Sequence, residues 1–186
     1  MSTDKDEEIL SLLEDRDTFE SGFRNLMATY QSVLYRHVRQ MVFNHDDADD
    51  VIQNTFIKVY KNIARFEKKS KLYTWLYRIA TNEAITFLNA KNKHQTNQIH
   101  DGIGAQQAEK LQADVYFEGD TLQLKLQKAI SGLPDKQKTV FNLRYFEEMP
   151  YEEMSKILET SVGALKASYH HAAKKIELFL TDSDTF

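Results

Sequence analysis

Apolar residues return at three- and four-residue steps through most of this chain, a period that builds helices and leaves no room for a sheet. Phe19, Phe23, Leu26, Met27, Tyr30, Leu34, Val38 and Met41 make one continuous stripe. Ile52, Phe56, Val59 and Ile63 make a second, and Leu72, Trp75, Leu76, Ile79, Ile85 and Leu88 a third. A short helix from Glu8 to Leu13 is expected ahead of the first stripe, and Asp17-Thr-Phe-Glu20 reads as the capping box that opens it. The acids Asp46, Asp47, Asp49 and Asp50 stand at the start of the second helix, where negative charge is favourable. No segment alternates apolar and polar residues as a half-buried strand would.

The pattern breaks once. From about Lys91 to Gly119 the apolar period disappears, Asn, Gln, His, Asp and Ala dominate, and three of the six glycines occur (Gly102, Gly104, Gly119). Such a stretch reads as a flexible linker. Periodicity returns at Leu122, Leu126 and Ile130. Both prolines, Pro134 and Pro150, then stand at helix starts, where a missing N–H costs nothing. The expected architecture is all-α: two small helical domains, 1–93 and 121–180, joined by a linker over 94–120 and followed by a tail over 181–186.

The absence of cysteine excludes disulfides and thiolate metal sites. No apolar run approaches the roughly 20 residues that cross a bilayer, and the acidic N-terminus (Asp4, Asp6, Glu7, Glu8) is unlike a secretory signal. A cytoplasmic chain with no membrane insertion is expected. The net charge of −4 conceals an asymmetry: between Lys61 and Lys93, Lys61, Arg65, Lys68, Lys69, Lys71, Arg78, Lys91 and Lys93 face only Glu67 and Glu83. A local basic patch draws phosphate whatever the total charge.

Two segments carry binding chemistry. Tyr151 to Ile176 fits a helix-turn-helix: a short helix over Tyr151–Leu158, a three-residue turn, and a second helix capped by Thr160 or Ser161. The outward positions of that second helix, Lys166, Ser168, His170, His171, Lys174 and Lys175, include no acid, which suits a helix lying in a major groove. A plain helical hairpin packed for stability is the alternative, and Glu159 in the turn, where Gly would be easier, favours that alternative. The second segment, Arg65 to Asn82, interleaves rings and cations (Arg65, Lys68, Lys69, Lys71, Tyr73, Trp75, Tyr77, Arg78) with Ser70 and Asn82. Single strands are held in this way, with bases stacked on rings and cations along the backbone. Trp75 reads equally as core, whereas Tyr73 and Tyr77 are the expected exposed rings.

Asp46 to Phe66 followed by Tyr73-Thr-Trp-Leu-Tyr-Arg-Ile-Ala-Thr-Asn82 resembles region 2 of the sigma-70 family in its extracytoplasmic-function form. Leu133-Pro-Asp-Lys-Gln-Lys-Thr-Val-Phe-Asn-Leu-Arg-Tyr-Phe146 and the helix-turn-helix with Val162-Gly-Ala-Leu-Lys166 resemble region 4. The two stand in the family's order and cover most of the chain. The resemblance implies a sigma factor that brings core RNA polymerase to promoters and assists melting, with no cofactor, no metal and no catalytic residue. It implies polymerase docking through Asp49, Asp50, Gln53, Asn54, Ile57 and Tyr60. It implies capture of the single-stranded −10 element by the Arg65–Asn82 segment. Duplex −35 DNA would then be read by Thr160, Ser161, Val162, Ala164, Lys166, Ser168, His170, His171, Lys174 and Lys175. It further implies an anti-sigma partner.

Ser168 and His171 stand where many family members carry Arg, so promoter sequence does not transfer. With imidazoles in place of fixed charges, lowering the pH toward 6 should tighten duplex binding at constant salt. A flat response would count against it. The rival readings are a stand-alone helix-turn-helix regulator, which leaves the basic, ring-rich segment unexplained, a sigma-like interaction protein inactive in transcription, and a metal-dependent nuclease. For the nuclease, Asp46, Asp47, Asp49 and Asp50 point around a helix and do not converge.

Overall fold

The computed structural model describes residues 3–96 and 121–182. Among them are eight α-helices and no strand: α1 (Thr3–Glu14), α2 (Phe19–Val42), α3 (His45–Asn62), α4 (Leu72–Thr96), α5 (Thr121–Ser131), α6 (Asp135–Tyr145), α7 (Tyr151–Leu158) and α8 (Val162–Asp182). A single 3₁₀ turn, Ile63–Arg65, follows α3.

The long stripe of α2 is the spine of the N-terminal module. Leu26, Tyr30, Leu34 and Val38 are fully buried, and each such side chain contributes about 1.5–3 kcal/mol through burial. Helices α1, α3 and α4 pack around it. Gly22 permits the close approach of α1: a Cβ there would lie 2.9 Å from Leu12 Cβ. The buried Tyr30 donates its hydroxyl proton to Asp6 of α1, and burial followed by that carboxylate pushes the phenol pKa well up.

The local signals were read unevenly. Helix α1 begins at Thr3 and not at Glu8. The expected capping box does not form: Thr18 is the N-cap of α2 without a side-chain cap, and its hydroxyl donates instead to the Leu12 carbonyl at 2.8 Å. The α1–α2 turn thus diverts the cap into a tertiary bond. At α3 the cap is Asn44, whose side chain accepts from the Asp47 N–H at 3.1 Å. Helix α4 continues to Thr96, past the expected domain edge at Lys93, and α8 runs into the expected tail, ending at Asp182. The rest of the linker and tail calls, 97–120 and 183–186, lies outside the described residues.

In the C-terminal module α8 packs against α5, α6 and α7, around Ile130, Leu133, Phe141, Ala172 and Ile176. Pro134 and Pro150 stand immediately before α6 and α7, and their carbonyls accept from the Lys138 and Met154 N–H groups at 2.9 and 3.0 Å. The two modules also touch, α4 on α7 and α2 on α6.

Candidate nucleic-acid interface

The Arg65–Asn82 segment divides between two sides of α4. Arg65, Phe66, Glu67, Lys69, Ser70, Trp75 and Arg78 line one open cleft. Its aromatic floor is Phe66 against Trp75, ring centroids 5.3 Å apart, both half-buried. Trp75 is therefore neither core nor free: one part of the ring packs and the rest faces the cleft. Asn82 is exposed, one helical turn beyond Arg78 on the same side of α4. Lys68 turns away to Glu14 at 2.6 Å, and its backbone is left-handed, φ 55°.

Tyr73 and Tyr77 face the other way, and here the sequence reading is corrected. Tyr77 is only 1% exposed. Its hydroxyl donates to Glu147 at 2.7 Å, and the half-buried Tyr73 packs against its ring at a tilt, centroids 4.8 Å apart. Burial, and for Tyr77 the nearby Glu147, push both phenols far above the ordinary tyrosine range. Thr74, also buried, donates to Glu153 at 2.6 Å, and Lys71 lies 3.5 Å from the same carboxylate. Both acids belong to the C-terminal module, so periodicity within α4 could not reveal that this side has a partner.

On α3 the six expected docking residues Asp49, Asp50, Gln53, Asn54, Ile57 and Tyr60 are all exposed. Ile57 and Tyr60 are large hydrophobics left 51% and 45% exposed. Beside them runs an apolar groove to which α2 adds Phe23 and Met27. Tyr60 is held edge-on by Phe19 and Phe23 at 5.3 and 5.0 Å, and its hydroxyl reaches Glu20 at 3.2 Å. The sequence reading took Phe19, Phe23 and Met27 as plain core. The signal available was the width of the α2 stripe, too broad for one buried face.

In the helix-turn-helix, α7 ends at Leu158 with Glu159 as its C-cap in the left-handed conformation, φ 49°, and α8 starts three residues after that cap, at Val162. Ser161 supplies the cap, accepting from the Ala164 N–H at 3.3 Å, while Thr160 donates to the Leu158 carbonyl. Ser161, Ala164, Lys166, His170, His171, Lys174 and Lys175 are exposed, and Thr160, Val162 and Ser168 are half-buried. Lys166 lies over the Tyr151 ring at 5.8 Å, with Arg144 at 5.1 Å from the same ring. Rings and cations thus continue beneath α8. Among the described residues no three His, Asp or Glu side chains gather as a metal site, and no helix is long and apolar enough to cross a membrane. Of the four clustered acids, Asp47 is paired with Lys91.

Residues 26–94, spanning most of α2 through α4, match the Sigma-70 region 2 model, and residues 123–176, α5 through most of α8, match Sigma-70, region 4. The ECF RNA polymerase sigma-E factor of Haemophilus influenzae is 31% identical over 168 residues, covering 85% of this chain and 87% of that protein. The chain belongs to the sigma-70 family, in its extracytoplasmic-function branch. SigW, the ECF sigma factor of Bacillus subtilis, is likewise 31% identical, over 88% of this chain and 91% of its own length. Two solved structures share the fold of this sigma factor. They are the sigma factor RpoE with the anti-sigma factor NepR from Bartonella quintana, and CnrH with the cytosolic domain of CnrY. Both have a TM-score of 0.67, at 20% and 19% identity, covering 86% and 97% of this chain and 96% and 99% of theirs. The Arg65–Arg78 side of the cleft and the α3 side of the groove fall within the region 2 match, and most of α8 within region 4.

Proposed function

We propose that this sigma factor docks on core RNA polymerase through the exposed face of α3, holds melted −10 DNA in the cleft beside α4, and reads −35 duplex with α8. The supporting observation is the cleft itself. Arg65, Lys69 and Arg78 surround the Phe66–Trp75 floor, an arrangement that takes a stacked base and its phosphates together. Joining the two DNA contacts in one chain raises their combined affinity through effective concentration. The protein acts in the cytoplasm and catalyses nothing itself. It offers polymerase and DNA a favourable set of contacts to the opened promoter. An anti-sigma protein is its expected regulator, a reading supported by the structural relative RpoE, which is in complex with the anti-sigma factor NepR.

Trp75→Ala and Arg78→Ala, both in the lining of the cleft, test the melting role. Each should lower open-complex formation, read by permanganate reactivity of unpaired thymines, while polymerase binding stays near wild type. A stacked base is worth about 1–3 kcal/mol, so losses of roughly fivefold to a hundredfold are expected. Lys166→Ala should weaken −35 duplex binding and lower its salt slope by about one. Unchanged promoter opening in both α4 variants would remove the cleft from the mechanism.

A further inference from the structure

Helix α1 is fixed on α2 near both of its ends. Close to its start Asp6 accepts from the buried Tyr30 hydroxyl, and Ile9 and Leu13 are buried along its length. At its end the Thr18 hydroxyl donates to the Leu12 carbonyl at 2.8 Å, and Gly22 admits the helix so closely that a Cβ there would lie 2.9 Å from Leu12 Cβ. Glu14, the last residue of α1, therefore projects from a rigid support. Its carboxylate meets Lys68 Nζ at 2.6 Å, in the loop that joins Arg65 to Leu72. Helix α1 precedes the stretch that matches the family, which begins at residue 26.

That loop forms one wall of the cleft beside α4. Arg65, Phe66, Glu67, Lys69 and Ser70 line the cleft, and Lys68 in their midst does not. Lys68 is left-handed, φ 55°, a conformation that a residue with a side chain keeps only when its surroundings hold it. The ends of the loop are secured. The Phe66 N–H donates to the Ile63 carbonyl at 3.0 Å, and Leu72 is buried at the start of α4. Of the other lysines, Lys69 pairs with Glu67 inside the loop, and Lys71 faces Glu153 of the C-terminal module at 3.5 Å. The Glu14–Lys68 bond joins the middle of the loop to its own module, wherever the C-terminal module stands.

We propose that Glu14 is a positioning residue for the −10 cleft: by drawing Lys68 away from the cleft it sets the left-handed turn that presents Lys69 and Ser70 to the melted strand, and so adds base discrimination and not affinity. The inference rests on the reading of the cleft as the −10 site. Both partners are exposed, the Lys68 side chain 58% and that of Glu14 64%, and a pair of that kind contributes little to folding. Its effect lies in where a cation goes. A freed Lys68 would stand beside the cleft as one more mobile charge. It would attract any phosphate equally, which strengthens binding to every sequence. A loop released from its single arrangement would also place the Ser70 hydroxyl less firmly against a base edge. Hydrogen-bonding groups so placed are what tell one unpaired base from another.

Holoenzyme assembled from the full chain and core polymerase tests it. Transcription from a promoter library randomised across the −10 element reads base preference at each position. Anisotropy of the same holoenzyme with a mixed-sequence single-stranded DNA 15-mer, over a salt series, reads general affinity. Glu14→Gln should flatten preference at one or more −10 positions by about threefold, the scale of an exposed ion pair. It should also steepen the log–log salt dependence by about 0.7, the value of one added phosphate contact on a single strand. Lys68→Gln should flatten preference without that steepening. Glu14→Lys combined with Lys68→Glu rebuilds the pair with reversed charge and should recover most of the lost preference. Thermal melting should stay unchanged throughout. A merely structural role would lower the melting temperature and transcription from all templates alike with base preference intact, and that outcome overturns the proposal. A flattened preference that the reversed pair fails to recover overturns it too. Trp75→Ala separates this inference from the reading beneath it. If that variant opens promoters normally, the proposed function falls and takes the role of Glu14 with it. If it is defective while Glu14→Gln keeps wild-type preference, only the role of Glu14 falls.

Discussion

Gln53→Ala combined with Tyr60→Ala should reduce affinity for core RNA polymerase on the order of a hundredfold, with little change in melting temperature. The reasoning begins with exposure. Tyr60 is 45% exposed, yet Phe19 and Phe23 fix its ring edge-on, so the side chain is presented in one orientation before any partner arrives. A preordered aromatic loses little freedom on binding, and interface aromatics of this kind commonly cost 2 kcal/mol or more when truncated. Gln53 lies two turns toward the start of α3 on the same exposed side and adds a hydrogen-bonding group. Together about 3 kcal/mol is expected, which is the stated factor. Size-exclusion or anisotropy titration against purified core checks it. The folded state loses only surface ring contacts and one exposed hydrogen bond, from the Tyr60 hydroxyl to Glu20, so thermal stability serves as the control. Wild-type affinity in the double variant would exclude the α3 face as the docking surface.

Acidification should destabilise this protein through one residue, His37. Its ring is completely buried on α2, its Nε2 lies 2.9 Å from Thr81 Oγ1, and its Nδ1 has no hydrogen-bond partner. The Tyr77 ring lies 5.0 Å away, and its hydroxyl leads to Glu147. Among the described residues no carboxylate contacts the imidazole to favour its cation, and burial holds its pKa down at about 4 against an ordinary 6.5. Between those values the unfolded chain takes up a proton that the native state refuses. Stability is therefore full above pH 6.5 and declines as the pH falls toward 4. At pH 5 the loss from this group is roughly 2 kcal/mol. Urea unfolding at pH 7.5 and pH 5 should show it, and His37→Gln should lose most of that difference even if its absolute stability is lower. An equal pH dependence in both proteins would assign the acid sensitivity elsewhere. Because α2 also touches α6 next to this site, the same protonation would loosen the N-terminal module near its contact with the C-terminal one.

The two predictions draw on different kinds of information. The α3 face was legible from the chain: Asp49, Asp50, Gln53, Asn54, Ile57 and Tyr60 alternate with Val51, Ile52, Phe56 and Val59 at helical spacing, so exposure followed from which residues were buried. His37 drew no such reading, because a histidine beside an apolar stripe carries no local mark of whether its neighbours will accept a proton. The helix-turn-helix was equally legible, since Pro150 before α7 and the short polar turn before α8 are local signals. The capping box failed because Thr18 found a better acceptor across the α1–α2 turn, at the Leu12 carbonyl.

By itself the sequence determined an all-helical chain in two modules, the basic, ring-rich segment and the acid-free face of α8, because each depends on a period or a charge pattern within one helix. Only the tertiary structure decided that Tyr77 turns inward, that Phe43 of one module completes the core of the other, and that Glu147 and Glu153 meet α4. Those contacts join residues some 70 to 100 positions apart. Which of two polar faces finds a partner at that separation is set by how whole helices pack, and no local spacing encodes it.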